Sequence, residues 1–200
     1  RIYRLRAKGS KPAFPNFDLS KLSNSQLIKQ LENSNKWFRQ QALLQFANRR
    51  DKSIVPRLTD ILKTAKPELA LEALWAINAS GGFNEEMAGI ALSNKDQYVR
   101  EWAVRLLGDQ RKVSQAMAAK LAALAAAETS VIVRSQLAAT AKRLAGPLAI
   151  PILKNLIKNH DDSNDPDIPL LIWWAIEAKS ETDRQGVLSI FEDKGIWQKK

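Results

Sequence analysis

Apolar residues recur along the chain with the spacing of a helix face, and the same pattern returns five times. In each segment an apolar residue near the predicted helix start is followed by two more, four and eight residues later, which places all three on one side of a helix. Successive starting residues are separated by 31, 30, 34 and 35 residues. The positions are Phe38, Ala42 and Phe46; Leu69, Ala73 and Ile77; Val99, Ala103 and Leu107; Val133, Leu137 and Ala141; and Ile168, Ile172 and Ile176.

A further helix is predicted before each of these segments, so the repeating unit is a pair of helices. These first helices cover residues 23–32, 53–63, 84–93, 114–127 and 147–158, and residues 182–193 begin a sixth unit whose partner helix is cut off after Trp197. Capping residues, whose side chains can bond an unpaired amide of the first turn, stand three positions before four of the starting residues. They are Asn35, Asp96, Ser130 and Asp165; in the remaining unit Lys66 precedes Pro67, and proline suits the first helical position.

A pair of short helices cannot bury its apolar side alone, but a row of stacked pairs can. The chain is therefore predicted to be all-α, a right-handed α-solenoid of about five helical hairpins plus a partial sixth, over residues 23–200. Residues 1–22 are expected to form an extended arm or linker from a preceding domain, because residues 1–7 alternate basic and apolar side chains and prolines interrupt residues 8–17. We expect a monomeric fragment of a longer protein.

The second helix of the third unit carries the most specific repeat signature. Its sequence DQYVREWAVRLLGD, with VIVRSQLAATAKRL and KWFRQQALLQFANR as variants, resembles the short HEAT-like repeat of the phycobilisome-lyase type. A period near 33 residues also fits tetratricopeptide and ankyrin units, but the signature residues of those families are absent. The resemblance covers residues 23 to about 193 and implies HEAT-like hairpins.

The formal net charge of +10, from 31 basic and 21 acidic residues, raises nucleic acid, anionic lipid and acidic proteins as partners. About half of this excess lies in residues 1–22, which hold six basic residues against Asp18 alone, so nucleic acid is not the partner we expect. The absence of cysteine excludes disulfides, thiolate metal sites and cysteine nucleophiles. No apolar run approaches the roughly 20 residues that cross a bilayer.

An arginine follows three of the starting residues by one position: Arg39, Arg100 and Arg134. One interpretation is a cationic series for phosphates or an acidic partner. The interpretation we favour is structural, because such an arginine can reach carboxylates and carbonyls in the neighbouring inter-helix turn and tie units together. We therefore assign an inter-repeat structural role to these arginines and to the capping residues Asn35, Asp96 and Asp165.

Two further columns of residues, three and six positions after the starting residues, are offset from the buried side of each second helix. In solenoids that helix usually lines the concave side. Tryptophan and arginine are the residues that most often anchor interfaces, so we predict a partner-binding groove there. Its predicted members are Glu72, Trp75, Trp102, Arg105, Gln136, Trp174 and Glu177. The alternative is that the tryptophans fill gaps between units.

Nothing in the sequence indicates catalysis or a metal site. His160 is the only histidine and stands beside DDSNDPD, whose carboxylates could hold calcium, but the glycine and distal glutamate of an EF-hand loop are missing. A solvated turn with Asp165 as a helix cap is the preferred interpretation. No glycine-rich phosphate loop, nucleophile elbow or serine–histidine pairing occurs. We expect no catalytic residue, no metal and no cofactor in this fragment.

The order of segments over nearly the whole chain resembles one family, the planctomycete-type membrane-bound dehydrogenase-like, haem-binding proteins. The residues that carry this are RIYRLRAKG, FDLSKLSNSQLIKQLENSNKWFRQQA, ALEALWAINASGG, YVREWAVRLLGD, VRSQLAATAKRL and IPLLIWWAIEAK. The resemblance implies an extracytoplasmic parent in which HEAT-like repeats stand between a sorbosone-dehydrogenase-like β-propeller and a cytochrome c module. The C-x-x-C-H haem motif cannot be present here, because the chain has no cysteine.

We therefore expect a non-catalytic HEAT-repeat scaffold that spaces the dehydrogenase-like propeller and the haem-binding module, with flanking domains or another protein as partners. The alternative is an enzyme, a DNA-binding HEAT-like protein of the alkylpurine glycosylase type. Such a protein would use a basic concave face, and Trp75, Trp102 and Glu72 are the residues that match it.

Overall fold

The computed structural model describes residues 8–9, 18–192 and 194–196, and these residues form an all-helical protein. The first helices of the pairs are α1 Asn24–Gln30, α3 Val55–Thr64, α5 Glu85–Leu92, α7 Gln115–Ala127, α9 Gly146–Asn159 and α11 Arg184–Phe191. The second helices are α2 Lys36–Arg49, α4 Pro67–Ala79, α6 Gln97–Asp109, α8 Val131–Arg143 and α10 Ile168–Glu177. Short 3-10 turns cover Leu19–Lys21 and Lys52–Ile54. The predicted strand at 1–7, most of the linker and the segment after Trp197 lie outside the described residues.

Two of the predicted caps begin their helices as the sequence indicates. The Asn35 side chain accepts a hydrogen bond from the Trp37 amide at 3.0 Å. One oxygen of Asp96 accepts from the amides of Tyr98 and Val99, at 2.9 and 3.2 Å. These bonds satisfy amides that have no partner within the helix, so each helix starts where its cap stands.

The two remaining capping residues differ from the simple expectation. Asp165 accepts from the amides of Asp167 and Ile168, both at 2.9 Å, although α10 itself begins only at Ile168. Ser130 precedes α8 but makes no capping bond, which corrects the prediction for this residue. Its hydroxyl instead donates to the Gln97 side chain at 2.6 Å, so it links two helices that are distant in sequence.

The helices pack in two rows. Each second helix contacts the next second helix, so α2, α4, α6, α8 and α10 form an unbroken series, which we call the front row. Among the first helices, α3 contacts α5, and α9 contacts both α7 and α11; we call these helices, with α1, the back row. The two rows meet through the pairs of each unit and through α8 and α9. Because every front-row helix, and most back-row helices, contact the next but one along the chain, the contacts follow the repeat seen in the sequence.

The recurring apolar stripe is the side that the front row turns inward. Most of its positions are buried, and Phe38, Leu69 and Ile172 are partly buried. Fully buried positions at two per cent exposure or less include Ala42, Phe46, Ala73, Ile77, Val99, Ala103, Leu107, Val133, Leu137, Ala141 and Ile168. Burial of these side chains from both rows is the main stabilising contribution, since each large aliphatic side chain contributes roughly 1.5–3 kcal/mol.

The core consists of two apolar clusters that meet at α5 and α6. One cluster extends from Leu19 to Leu106 and the other from Ala88 to Ile190. Phe83 and Leu92 pack against both clusters and connect them. Every cluster draws on several units, so no helical pair has a core of its own.

One glycine allows the close approach of two front-row helices. A Cβ atom at Gly108 in α6 would lie 2.7 Å from Oγ1 of Thr140 in α8. The same hydroxyl donates to the Val104 carbonyl oxygen at 3.0 Å, in a position where it is fully buried. A larger residue at 108 would push α8 away and break this bond between neighbouring helices.

Candidate interaction surface

Arg100 joins two successive inter-helix turns. Its Nε and Nη2 donate to the two oxygens of Glu128 at 2.8 and 2.7 Å, a bidentate pair. Its Nη1 donates to the carbonyl oxygens of Asn94 and Lys95 at 3.0 and 2.9 Å, in the turn before its own helix. The arginine therefore ties the turn before α6 to the turn before α8, and planar bidentate geometry makes the pairing strong.

Arg134 makes the same set of bonds one unit later. Its Nε and Nη2 donate to the two oxygens of Asp162 at 2.8 and 2.5 Å. Its Nη1 donates to the carbonyl oxygens of Glu128 and Thr129 at 3.1 and 2.8 Å. Glu128 thus belongs to two successive contacts, through its side chain to Arg100 and through its backbone to Arg134. Asp162, which accepts these bonds, belongs to the DDSNDPD segment before α10.

Arg39 is the equivalent residue of the first unit, and we call Arg39, Arg100 and Arg134 the arginine series. Its connection to the next unit is weaker than those of the other two. Its Nη1 donates to the carbonyl oxygens of Asn33 and Ser34 at 2.8 and 3.2 Å, as in the other units. Its carboxylate partner is Glu72, which lies in α4 rather than in a turn, and only one bond forms, from Nε to Oε1 at 2.7 Å. Thr64 stands five positions before Leu69, as Glu128 stands five positions before Val133, but a threonine side chain has no carboxylate to pair with Arg39. Glu72 is buried, and within the described residues its Oε2 has no hydrogen-bond partner.

The pKa shifts of the paired groups in this series favour the charged form of both partners. Burial would raise the pKa of the Glu128 carboxyl, but hydrogen bonds from Arg100 and from the Ser130 amide outweigh it and hold the pKa below the ordinary value. The hydrogen bond to Asp162 raises the pKa of Arg134, and the bond to Glu128 does the same for Arg100. These guanidinium groups are neutralised within the molecule, and they donate to its own turns.

The predicted groove residues separate into two groups. On α4 and α6, the rings of Trp75 and Trp102 meet edge to face with centroids 5.1 Å apart, and Arg105 lies 4.7 Å above the Trp102 ring. Trp102 packs partly against the core, and the buried Trp75 Nε1 has no hydrogen-bond partner among the described residues. Arg105 is exposed at the edge of this group. Stacking of this kind holds the tryptophans in place and leaves one side of the cluster open.

The second group lies on α8 and α10. Lys142 stands 5.3 Å from the centre of the Trp174 ring, which is 41% exposed, and Glu177 is exposed three residues further along α10. Gln136 is partly buried and donates to Oγ1 of Thr140 at 3.2 Å. The predicted residues thus occupy neighbouring helices of the front row, although Glu72 is withdrawn into its contact with Arg39.

Exposed apolar side chains are concentrated on the front row. Nine large hydrophobic residues are exposed in the described part of the chain, and eight of them belong to α2, α6, α8 and α10. These eight are Trp37, Leu44, Tyr98, Val131, Ile132, Leu170, Trp173 and Trp174; Leu188 on α11 is the ninth. Apolar side chains gathered on one side of a protein indicate an interaction surface.

An open groove crosses this surface between α6, α8 and α10. It encloses about 360 Å³. Its lining includes Val131, Ile132, Leu171, Glu101, Asp165 and Asp167, and we call this set of residues the front groove. Gln136, one of the predicted residues, also lines it. Leu171, like Gln136, stands three positions after a starting residue but is not one of the predicted groove members. The other residues of the front groove stand outside the two columns.

The segment whose carboxylates could have held calcium has other contacts. Asp162 pairs with Arg134, and Asp165 accepts hydrogen bonds from the amides of Asp167 and Ile168. His160 places its Nε2 2.7 Å from the Ala125 carbonyl oxygen. Within the described ranges no three His, Cys, Asp or Glu side chains are grouped so that they could hold a metal ion.

No helix in the described part of the chain combines the length and the apolar character needed to cross a bilayer. The sequence matches no protein-family model and no curated protein.

Proposed function

We propose that the chain is a non-catalytic interaction scaffold of the HEAT-like type, a right-handed α-solenoid whose front row binds a partner. The observation that carries this proposal is the concentration of exposed apolar side chains on the front row. Trp174 with Lys142, and Trp102 with Arg105, supply the aromatic and cationic groups that often anchor interfaces.

The contacts of the arginine series support a scaffold over a nucleic-acid enzyme. Arg100 and Arg134 donate to carboxylates and carbonyls of the chain itself, so they do not form a free cationic surface for phosphates. Glu72, the carboxylate that matched the alkylpurine glycosylase type, is buried and paired with Arg39. A catalytic carboxylate must reach the reacting base, and Glu72 is turned away from solvent.

The role of the scaffold in its parent protein follows from the resemblance. We propose that the chain spaces a dehydrogenase-like propeller and a cytochrome c module in an extracytoplasmic protein of the planctomycete-type haem-binding family. Chemistry would then reside in those modules, and this chain would supply their separation and a docking face for one of them. The stacked units suit this task because each is fixed by contacts with its neighbours.

The test is a selection of binding peptides from a random library on the unchanged chain, followed by affinity measurements on variants. Trp174→Ala should weaken the selected peptides by at least about fivefold, near 1 kcal/mol, because an exposed tryptophan of an interface is lost. Leu188→Ala is the matched control, an exposed apolar residue of the back row whose loss should leave affinity unchanged. Peptides that bind both variants equally would place the binding surface elsewhere and overturn the proposal.

A titration with duplex DNA separates the scaffold from the enzyme. A phosphate-binding surface predicts that affinity falls by orders of magnitude between about 50 and 200 mM salt. We expect only weak binding to DNA, and no change in it when Trp174 or Trp102 is replaced. Tight binding that requires Trp102 would favour the enzyme.

A further inference from the structure

The front groove has an apolar floor that the core does not use. Val131 and Ile132 open α8 and are 44% and 39% exposed, although the helix they begin is well buried on its other side. Leu171 of α10 faces them across the groove and is only partly buried. Apolar side chains left open between two packed helices are satisfied when another chain covers them.

The rim of the same groove is acidic. Glu101 comes from α6, and Asp165 and Asp167 come from the turn before α10. The chain as a whole carries a net charge of +10, so this group of carboxylates has the opposite sign to the rest of the molecule. Bonds from the Ile168 and Asp167 amides lower the pKa of Asp165, which keeps it ionised.

Three arginines near the rim have other contacts, although Arg134 also lowers the pKa of Asp165. Arg100 and Arg134 each hold a carboxylate of the inter-helix turns in a bidentate pair. Arg105 lies over the Trp102 ring and acts on Glu101 only in part, since burial still raises the pKa of the Glu101 carboxyl. A half-buried carboxylate with a raised pKa gains from a cation brought to it, because the cation stabilises its charged form.

We propose that the front groove binds a segment of a partner protein in which lysine or arginine alternates with aliphatic residues. The inference rests on the proposed scaffold function and adds the chemistry of its partner. The aliphatic side chains cover Val131, Ile132 and Leu171, and the basic side chains meet Glu101, Asp165 and Asp167. The acidic rim repels phosphates, so the groove discriminates against nucleic acid and anionic lipid in spite of the basic net charge.

The experiment compares two labelled peptides, one alternating lysine with leucine and the other carrying glutamate at every lysine position. Fluorescence anisotropy on the unchanged chain should give the basic peptide an affinity at least about tenfold higher. This comparison is stringent, because the net charge of the chain by itself favours the acidic peptide. The double variant Glu101→Gln, Asp167→Asn should then weaken the basic peptide by roughly five- to tenfold.

A matched double variant controls for net charge. Asp60→Asn with Glu86→Gln removes the same charge from exposed positions of the back row and should leave the affinity within about twofold. Ile132→Ser tests the apolar floor separately and should also weaken the basic peptide. Both double variants exchange carboxylates for amides of the same shape, and a melting curve checks that each is folded.

The outcomes distinguish the inference from the function it rests on. Equal affinity of the two peptides, or unchanged binding by the Glu101→Gln, Asp167→Asn variant, would overturn the inference. If library peptides still depend on Trp174 in that case, the scaffold function stands and only the partner chemistry is wrong. If no peptide depends on the front row, the proposed function fails with it.

Discussion

The same helical position is buried in the interior of the front row and exposed in α10. Five residues after the start of the apolar stripe, Leu74, Val104 and Ala138 are fully buried in α4, α6 and α8. The equivalent residue in α10 is Trp173, which is 57% exposed. Trp173 has a much larger apolar surface than Ala138, and yet it is the exposed residue of the two. Packing against neighbouring helices, and not residue type, therefore decides burial at this position.

The arginine series differs between its members in the same way. Arg100 and Arg134 each reach the next turn and find a carboxylate there that accepts two bonds. Arg39 reaches a carboxylate in a helix and makes one bond. Units three to five are thus held by more directional contacts than units one and two. The comparison teaches that equal sequence positions contribute unequally when their neighbours differ.

The largest expected effect comes from the buried interior. Leu137→Ala in α8 should reduce the free energy of unfolding by about 3–4 kcal/mol, because a fully buried leucine leaves a cavity. Trp173→Ala should change it by less than about 0.5 kcal/mol, since most of that side chain is already in water. Urea denaturation monitored by circular dichroism measures both. Similar losses for the two variants would mean that the end of the row is packed like its interior.

A smaller effect is expected from the arginine series. Arg100→Met should lower the unfolding free energy by about 2–3 kcal/mol, because it leaves the buried Glu128 carboxylate and two carbonyl oxygens without their donor. Arg39→Met removes one direct bond fewer and should cost about 1 kcal/mol less. The same denaturation assay compares them. A larger loss for Arg39→Met would contradict the ranking of the two contacts.

The smallest expected effect is a dependence on pH that comes from Glu128. Its pKa in the folded chain lies below the ordinary value of 4.5, so its ion pair stabilises the fold above that pH. This contribution is lost as the pH falls through the folded pKa. Unfolding free energies measured from neutral to acidic pH should therefore fall less steeply for Glu128→Gln than for the unchanged chain.

The pKa of Glu101 is shifted in the opposite direction, so this residue should change the pH dependence of stability in the opposite way. Burial raises the pKa of its carboxyl above 4.5, so ionisation disfavours the folded state as the pH rises through the folded value. Glu101→Gln should consequently make the chain slightly more stable at neutral pH and leave its stability at acidic pH unchanged. A loss of stability at neutral pH in this variant would show that Glu101 supports the fold.

Much of the fold could be predicted from the sequence because its signals are local. The apolar stripe has the period of a helix, and the carboxylate of Asp96 caps the helix that follows it. The all-helical architecture and the order of the pairs are confirmed. The capping bond of Ser130 was predicted wrongly, because its hydroxyl finds Gln97, a residue 33 positions earlier, and local sequence carries no signal of that contact.

The front groove could not be predicted, because its parts come from three helices. Glu101, Val131 and Asp167 belong to different units, and only the rotation between neighbouring helices brings them to one groove. The same applies to Glu72, which is buried and accepts a hydrogen bond from Arg39, a residue 33 positions earlier in the preceding unit. Sequence columns identify which helices carry the surface, while the packing decides which side chains remain open.

The central claim is that exposed front-row residues bind a partner while the arginine series holds the units together. The most direct test measures peptide affinity and unfolding free energy on the same two variants, Trp174→Ala and Arg100→Met. We predict that Trp174→Ala loses at least about fivefold in affinity with stability changed by less than about 0.5 kcal/mol. Arg100→Met should lose about 2–3 kcal/mol in stability and, at temperatures where it is folded, bind with unchanged affinity. Equal loss of both properties in both variants would contradict the claim.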